Sequence, residues 1–180
     1  MADSLHEEEA VKRRLLFVAL AATLAAPAMA VAESRCPAES SQFDFWAGEW
    51  SVEETGAPGK TVATSREEKI AGGCALLENY EEPDGYSGKS VNFFDPVLKK
   101  WRQTWVDSAG NVSEFSGELS EGAIRFEGES HTASGKRVYR RLTFTPLPDG
   151  SVRQASEASL DGKTWKVNYD YRYVKKKSGS

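Results

Sequence analysis

The side chains that could do chemistry in this chain do not form a known catalytic set. The sequence contains no G-x-S-x-G, H-E-x-x-H or C-x-x-C motif and no phosphate-binding P-loop. A serine–histidine–aspartate set would have to use His131, which adjoins the turn sequence TASG, because His6 lies in a stretch predicted to be cleaved. We therefore expect a protein that is not an enzyme and that holds neither a metal ion nor a cofactor.

Carboxylate pairs are the other common source of acid–base chemistry. Glu67-Glu68 and Glu81-Glu82 are adjacent in sequence, and adjacent residues of a strand point to opposite faces. We predict that both pairs are surface charge.

Two polar side chains share a predicted strand face with apolar residues. Gln103 stands at a spacing of two from Trp101 and Trp105, and Arg140 stands between apolar residues at the same spacing. Ligand pockets are mostly apolar with a few placed polar groups, so Gln103 and Arg140 are candidates for contact with a ligand.

Arg140 has more than one interpretation. In the lumen of a barrel its guanidinium could bind a ligand carboxylate through two hydrogen bonds. A buried charge must otherwise be paired, and Glu114 or Glu157 could be its structural partner. A β-bulge could also turn Arg140 outward.

Turn signals divide the chain into short segments that are rich in β-branched and aromatic residues. No segment has a helical repeat of the needed length. The pattern predicts an all-β, antiparallel meander of about ten strands. The turns are centred near Ala57, Gly72, Asp84, Asp95, Ala109, Glu121, Ser134, Pro148 and Gly162.

A meander of this size leaves two edges unless it closes. Closure removes the edges and their aggregation hazard, and a barrel of more than about eight strands encloses a cavity. We predict an up-and-down barrel, with a two-sheet sandwich as the alternative.

The clearest alternation is in TWKVNYDYRYV, where Trp165, Val167, Tyr169, Tyr171 and Tyr173 share one face. It extends the predicted set of lumen residues, which comprises Trp101, Gln103, Trp105, Arg140, Trp165, Tyr169 and Tyr171.

The N-terminal stretch has the layout of a secretory signal. A basic patch at 12–14 precedes an apolar run from Leu15 to Ala26 and two A-x-A sites, which end at Ala30 and Ala32. The run is shorter than the roughly 20 residues that span a bilayer, although an uncleaved anchor is the alternative. We predict a signal peptide over 1–32, a lead over 33–42, one barrel domain over 43–174 and a flexible tail over 175–180.

Charge and cysteine content narrow the class further. The net charge of −4, with no basic stripe, argues against a nucleic-acid partner, and we expect no stable membrane insertion. Cys36 and Cys74 are most simply explained by one disulfide in an exported protein, since a metal pair lacks C-x-x-C spacing and a histidine cluster. The predicted location is secreted or periplasmic.

The stretch FDFWAGEW concentrates aromatic residues before the first predicted strand. We predict that Phe43, Phe45, Trp46 and Trp50 plug one end of the barrel. Such burial is worth about 1.5–3 kcal/mol for a large apolar side chain. Ordinary core packing is the alternative.

Gly48-Glu49-Trp50 resembles the G-x-W of lipocalins and their calycin relatives. The stretches FDFWAGEW, IAGGCALLENY, SVNFFDP, WRQTWVDSAG and TPLPDGSVRQ…DGKTW together resemble a family of uncharacterised secreted bacterial proteins with lipocalin-like barrels. The resemblance covers most of 36–174. It implies a barrel of the lipocalin, fatty-acid-binding or nitrobindin type and no particular activity.

Two features of these relatives match this chain poorly. Lipocalins often stack a late-strand arginine on the G-x-W tryptophan, but the parity of Arg172 is opposite to that of the inward tyrosines. Nitrobindin-like barrels hold haem through a late-strand histidine, whereas no histidine follows His131. Haem is therefore not expected.

These observations predict a secreted or periplasmic barrel that binds a small apolar or amphipathic molecule in its lumen. One alternative is a structural or interaction barrel whose core is filled by its own aromatic residues. The other is an uncharacterised enzyme that uses the lumen. The sequence does not indicate an oligomeric state.

Overall fold

The computed structural model of the chain describes residues 36–132 and 134–176. The predicted signal peptide over 1–32 and the end of the predicted tail, 177–180, lie outside the described residues. Within those residues the chain forms ten strands and three short 3₁₀ helices. The strands are β1 (Gly48–Glu54), β2 (Thr61–Ile70), β3 (Ala75–Glu81), β4 (Ser87–Asp95), β5 (Lys100–Asp107), β6 (Val112–Ser120), β7 (Ala123–His131), β8 (Arg137–Pro146), β9 (Val152–Ser159) and β10 (Lys166–Lys175).

The strands form a closed antiparallel barrel. Each strand pairs with the next in sequence, and β1 pairs with β10 to close the sheet. The prediction of an all-β, up-and-down barrel is confirmed. No helix of the described part is long and apolar enough to cross a bilayer.

The two ends of the barrel differ. At one end, here called the closed end, the odd strands begin and the even strands finish. The described residues before β1, here called the N-terminal lead, form two 3₁₀ helices at this end, Ala38–Ser41 and Asp44–Trp46. At the other end, here called the open end, the connections include 82–86, 108–111 and 160–165.

Aromatic rings of the lead fill the closed end. Phe43 stacks on Trp46 at 5.1 Å between ring centroids and meets Trp101 and Phe144 edge-on at 5.4 and 4.9 Å. Phe43, Trp46 and Trp50 are fully buried, and Phe45 is half-buried against the same cluster. The contacts agree with the predicted plug.

A disulfide ties this lead to the barrel. Cys36 and Cys74 are bonded, with their Cα atoms 4.9 Å apart. Cys74 lies directly before β3, so the bond holds the N-terminal lead against the closed end. This was the predicted pairing, and it is compatible with an extracellular location.

A cation does lie over the G-x-W tryptophan, but it is not Arg172. Lys175 places its Nζ 5.3 Å from the centroid of the Trp50 ring. Arg172 faces outward, where it bonds Asp149 and the Ser151 hydroxyl. Lys175 is the last residue of β10.

Candidate functional site

The open half of the barrel encloses a cavity of about 740 Å³. It is bounded below by the aromatic cluster of the closed end. Its walls carry seven aromatic rings, from Tyr80, Tyr86, Trp105, Phe115, Tyr169, Tyr171 and Tyr173. Polar side chains in the wall include Glu78, Gln103, Ser130, Arg140, Gln154 and Ser156, and the mouth carries Glu82, Asp84, Asp107, Asn111, His131 and Thr132.

Five of the seven predicted lumen residues line this cavity. They are Gln103, Trp105, Arg140, Tyr169 and Tyr171. Period-two alternation brings them together because residues at i, i+2 and i+4 of a strand face the same side. The structure thus places side chains from β5, β8 and β10 around one space.

Trp101 faces inward but belongs to the closed end. It is 1% exposed, and its Nε1 donates to the Gln42 side-chain oxygen at 3.0 Å. It packs against the plug and is not among the residues that line the cavity. Trp101 faces inward, as its parity predicts, but it lies with the plug and not at the cavity.

Trp165 lies outside the barrel lumen. Its ring is covered by the Arg141 guanidinium at 3.9 Å, and Val167 is 71% exposed. The register of β10 against β9 shifts between Val167 and Tyr169. This irregularity breaks the alternation, so Trp165 and Val167 do not share the inward face of Tyr169.

Arg140 lies in the cavity wall without a carboxylate partner. Its Nε donates to the Ser130 hydroxyl at 3.1 Å. None of the ion pairs among the described residues includes it, so neither Glu114 nor Glu157 neutralises the guanidinium. The structural-pair alternative for Arg140 is not supported.

Two carboxyl groups lie inside the barrel that the sequence analysis did not assign there. Glu67 and Glu78 are 3% and 2% exposed and are directly opposed in the β2–β3 register. The prediction that Glu67 is surface charge was wrong, because only Glu68 of that adjacent pair faces out. The parity of Ala63, Ser65 and Glu67 was the available signal.

Glu78 begins a chain of buried hydrogen bonds. The Ser90 hydroxyl donates to its Oε2 at 2.6 Å, and the Asn92 amide donates to Ser90 at 2.8 Å. Gln103 then donates to the Asn92 oxygen at 2.6 Å. This chain satisfies the polar groups of β4 and β5 and fixes the Gln103 side chain at the cavity wall.

Glu67 is less well satisfied. It accepts a hydrogen bond from the Ser65 hydroxyl at Oε1, whereas its Oε2 is buried with no hydrogen-bond partner. Burial, together with the nearby Glu78 charge, raises the pKa of Glu67 well above 4.5. The group is therefore protonated and neutral at pH 7.

The pKa of Glu78 lies close to neutral pH. Burial raises its pKa from 4.5 to about 7, against the lowering effect of hydrogen bonds from Ser90 and Tyr173. The Tyr173 hydroxyl lies 3.5 Å from Oε1. Glu78 lines the cavity, so a carboxyl that titrates near pH 7 faces the lumen.

Phenol groups hold two acids at the mouth. The Tyr80 hydroxyl donates to Glu82 at 3.0 Å, and the Tyr86 hydroxyl donates to Asp107 at 2.8 Å. Neither contact is an ion pair, because a phenol donates a hydrogen bond and carries no positive charge. The mouth is acidic on the side of β3, β4 and β5.

Trp105 depends on a glycine beside it. A Cβ added at Gly88 would lie 2.1 Å from the Trp105 ring, and the two strands pair there in the β4–β5 register. The absent side chain lets the indole approach the backbone of β4 closely. Gly88 therefore sets the width of the cavity on this wall.

Comparison with models of known protein families and with curated proteins gives no match for this chain. Among the residues that the structure describes, no group of three or more histidine, cysteine or acidic side chains could hold a metal ion. The function is therefore argued from the geometry of the barrel alone.

Proposed function

We propose that this protein is an exported barrel, secreted or periplasmic, that binds a small amphipathic molecule in its lumen. The observation that carries the proposal is the cavity of about 740 Å³ in the open half of the barrel. Ligand pockets have volumes of about 300–1,000 Å³, and this cavity falls within that range.

The lumen is filled in one half only. In the closed half the rings of Phe43, Trp46 and Trp101 touch one another. In the open half the rings stand around a space. This division favours a ligand-binding barrel over one whose core is filled throughout by its own aromatic residues.

Arg140 is the proposed anchor for an acidic group of the ligand. It is a cation in a partly desolvated wall and has no ion-pair partner among the described residues. A carboxylate at this position would gain charge-assisted hydrogen bonds, each worth about 1.5–3 kcal/mol. The aromatic rings would pack against the body of the same molecule.

The test is a titration with long-chain and aromatic carboxylates, followed by tryptophan fluorescence. Trp105 is the tryptophan that lines the cavity, so Trp105→Phe should remove most of the signal change. Arg140→Ala should weaken binding about tenfold to a hundredfold. Arg141→Ala is the matched control, since Arg141 is adjacent but bonds Glu127 on the outside.

Equal affinity in Arg140→Ala and the unmodified protein would remove the role of Arg140. Absence of binding by all carboxylates would leave the lumen proposal to its second test, which is native mass spectrometry of the protein purified from its own host. A preparation free of any bound small molecule, together with failed titrations, would contradict the proposed function.

A further inference from the structure

The charges that line the cavity do not balance. Four carboxyl groups face it, Glu78 in the wall and Glu82, Asp84 and Asp107 at the mouth, against the single guanidinium of Arg140. None of these four acids has an ion-pair partner among the residues that the structure describes. The mouth of the cavity therefore attracts cations.

Glu78 is the acid whose position is hardest to explain by folding alone. It is 2% exposed, and its carboxyl group accepts bonds only from neutral hydroxyls, those of Ser90 and Tyr173. A buried carboxylate is stable only when it is paired or coordinated. A cation in the lumen would supply the charge that the fold omits.

The neighbouring Glu67 is a second buried acid, directly opposite Glu78 in the β2–β3 register. Glu67 is 3% exposed, and its Oε2 has no hydrogen-bond partner among the described residues. Unsatisfied buried polar atoms are rare in folded proteins. Two buried carboxyl groups side by side disfavour the ionisation of both at once.

The rings around Glu78 suit a positively charged group. Tyr80 is two residues further along β3, and Tyr173 reaches Glu78 with its hydroxyl. Tyr169 and Tyr171 stack at 4.8 Å on β10. Aromatic faces attract ammonium groups through their quadrupoles, by up to about 2 kcal/mol when the contact is desolvated.

We propose that the part of the cavity wall lined by side chains of β3 and β10 is a binding subsite for an ammonium group. Glu78 is the counter-ion, and the tyrosine rings of these two strands surround the ammonium group. The inference deepens the proposed function and rests on it. It defines the ligand as an amphipathic amine. An acidic group at the other end of the same molecule would meet Arg140.

Binding of an ammonium group at this subsite is coupled to the release of a proton from Glu78. The titratable and charged groups that face Glu78 are Glu67 from β2, Tyr80 from its own strand, Tyr169 and Tyr173 from β10, and Arg140 across the lumen on β8. The tyrosines and Glu67 are neutral near pH 7. An arriving ammonium group therefore acts on Glu78, lowers its pKa from about 7 and releases its proton to the buffer.

The experiment compares three probes of one shape by isothermal titration calorimetry: phenylpropylamine, phenylpropanol and phenylpropionate. Near pH 8, above the pKa of about 7 for Glu78, the amine should bind about tenfold tighter than the alcohol. Near pH 6 the difference should shrink, because Glu78 is then protonated. Heats measured near pH 7 in two buffers of different ionisation enthalpy should show proton release for the amine alone.

Glu78→Gln should remove the preference for the amine and its proton release. Glu81→Gln is the matched control, because Glu81 is exposed on the outer face of the same strand. Glu67→Gln should keep the preference for the amine, since Glu78 remains. Thermal unfolding of each variant checks that the barrel is intact.

The three probes and the Glu78→Gln variant distinguish the ammonium subsite from the more general proposal that the lumen binds a ligand. An amine that binds no tighter than the alcohol, or equally well in Glu78→Gln, overturns the ammonium subsite. Binding of phenylpropionate through Arg140 in that same case leaves the lumen proposal standing. Failure of all three probes, together with a preparation that carries no small molecule, overturns both proposals.

Discussion

The closed and open halves of this barrel are built from the same ten strands yet treat their interior in opposite ways. The closed half packs ring against ring, and Phe43, Trp46 and Phe144 are fully buried. The open half also carries rings, but most of them are tyrosines whose hydroxyl groups bond acids or face the cavity. The closed half thus carries stability, and the open half carries charged groups that have no ion-pair partners among the described residues.

The contrast shows how a barrel can hold a destabilising site. Buried acids such as Glu67 and Glu78 cost free energy, and packing elsewhere has to offset that cost. The plug lies directly below them and is tied down by the Cys36–Cys74 bond. Substitutions in the closed half should therefore cause large losses of stability. Substitutions in the open half should instead change ligand binding or the pH dependence of stability.

The largest effect should come from the plug. Trp46→Ala should lower the free energy of unfolding by about 3–5 kcal/mol, since it removes a fully buried ring and leaves a cavity that faces Phe43, Phe144 and Tyr173. Urea denaturation followed by circular dichroism measures the change. Tyr171→Ala in the half-exposed open wall is the comparison, and an equal loss there would contradict the division of roles.

The disulfide should contribute the next largest effect. Replacement of Cys36 and Cys74 by serine should cost at most about 4 kcal/mol, the chain-entropy value for a loop of this length. Thiol labelling of the unreduced, denatured protein should find almost no free thiol. Two labelled thiols per chain would refute the bond, and an unchanged unfolding midpoint in the double variant would refute its contribution.

Much of the fold follows from local signals that the sequence displays openly. Turns at regular intervals and alternating apolar residues predict antiparallel strands, and closure follows from the need to pair the edges. The FDFW stretch indicates the plug because its three aromatic rings precede the first strand and cannot follow its alternation. Phe43 and Trp46 accordingly lie in the lead and below the strands.

The candidate site could be predicted only in part. Gln103 and Arg140 stand out because each shares a face with apolar residues. Glu67 does not, because it is followed by Glu68 and the pair resembles solvated charge. Trp165 was misplaced because one irregularity in the β9–β10 register reverses parity, and nothing in the residue types marks it. Spatial neighbours across strands, such as Glu67 and Glu78, are set by register and are not visible in sequence.

Glu78 should make stability depend on pH. Its folded pKa is raised to about 7 from 4.5, so its favourable contribution is complete below pH 4.5 and is lost as the pH rises through about 7. A shift of this size corresponds to about 3 kcal/mol. The contribution of Glu78 to the free energy of unfolding should therefore fall as the pH rises from 4.5 to about 7. It adds to the contributions of the other titratable groups.

Glu78→Gln should reduce this dependence without removing it, since the pKa of Glu67 is also raised, and should make the protein more stable than the unmodified chain at pH values above about 7. Glu81→Gln on the outer face should leave the curve unchanged. A Glu78→Gln variant that loses stability at every pH would mean that the carboxyl group is paired in the folded state, and it would reverse the argument for a missing cation.

The smallest effect on stability, with a larger effect on binding, is expected at Gly88. An alanine there would place its Cβ against the Trp105 ring, which must swing away from β4 and into the cavity. The free energy of unfolding should fall by about 1–3 kcal/mol, the usual cost of overpacking. Affinity for lumen ligands should fall more clearly, and the emission of Trp105 should shift because its surroundings change.

Gly56→Ala is the control for this change, since Gly56 lies in a loop at the open end and an added Cβ meets nothing within 4 Å. Both variants lose a glycine, but only Gly88→Ala narrows the space between the rings. If Gly88→Ala lowered stability and left ligand affinity intact, Trp105 would be a packing residue, and the boundary between the two halves would lie nearer to the mouth. Loss of affinity at near-constant stability would instead place Trp105 with the ligand.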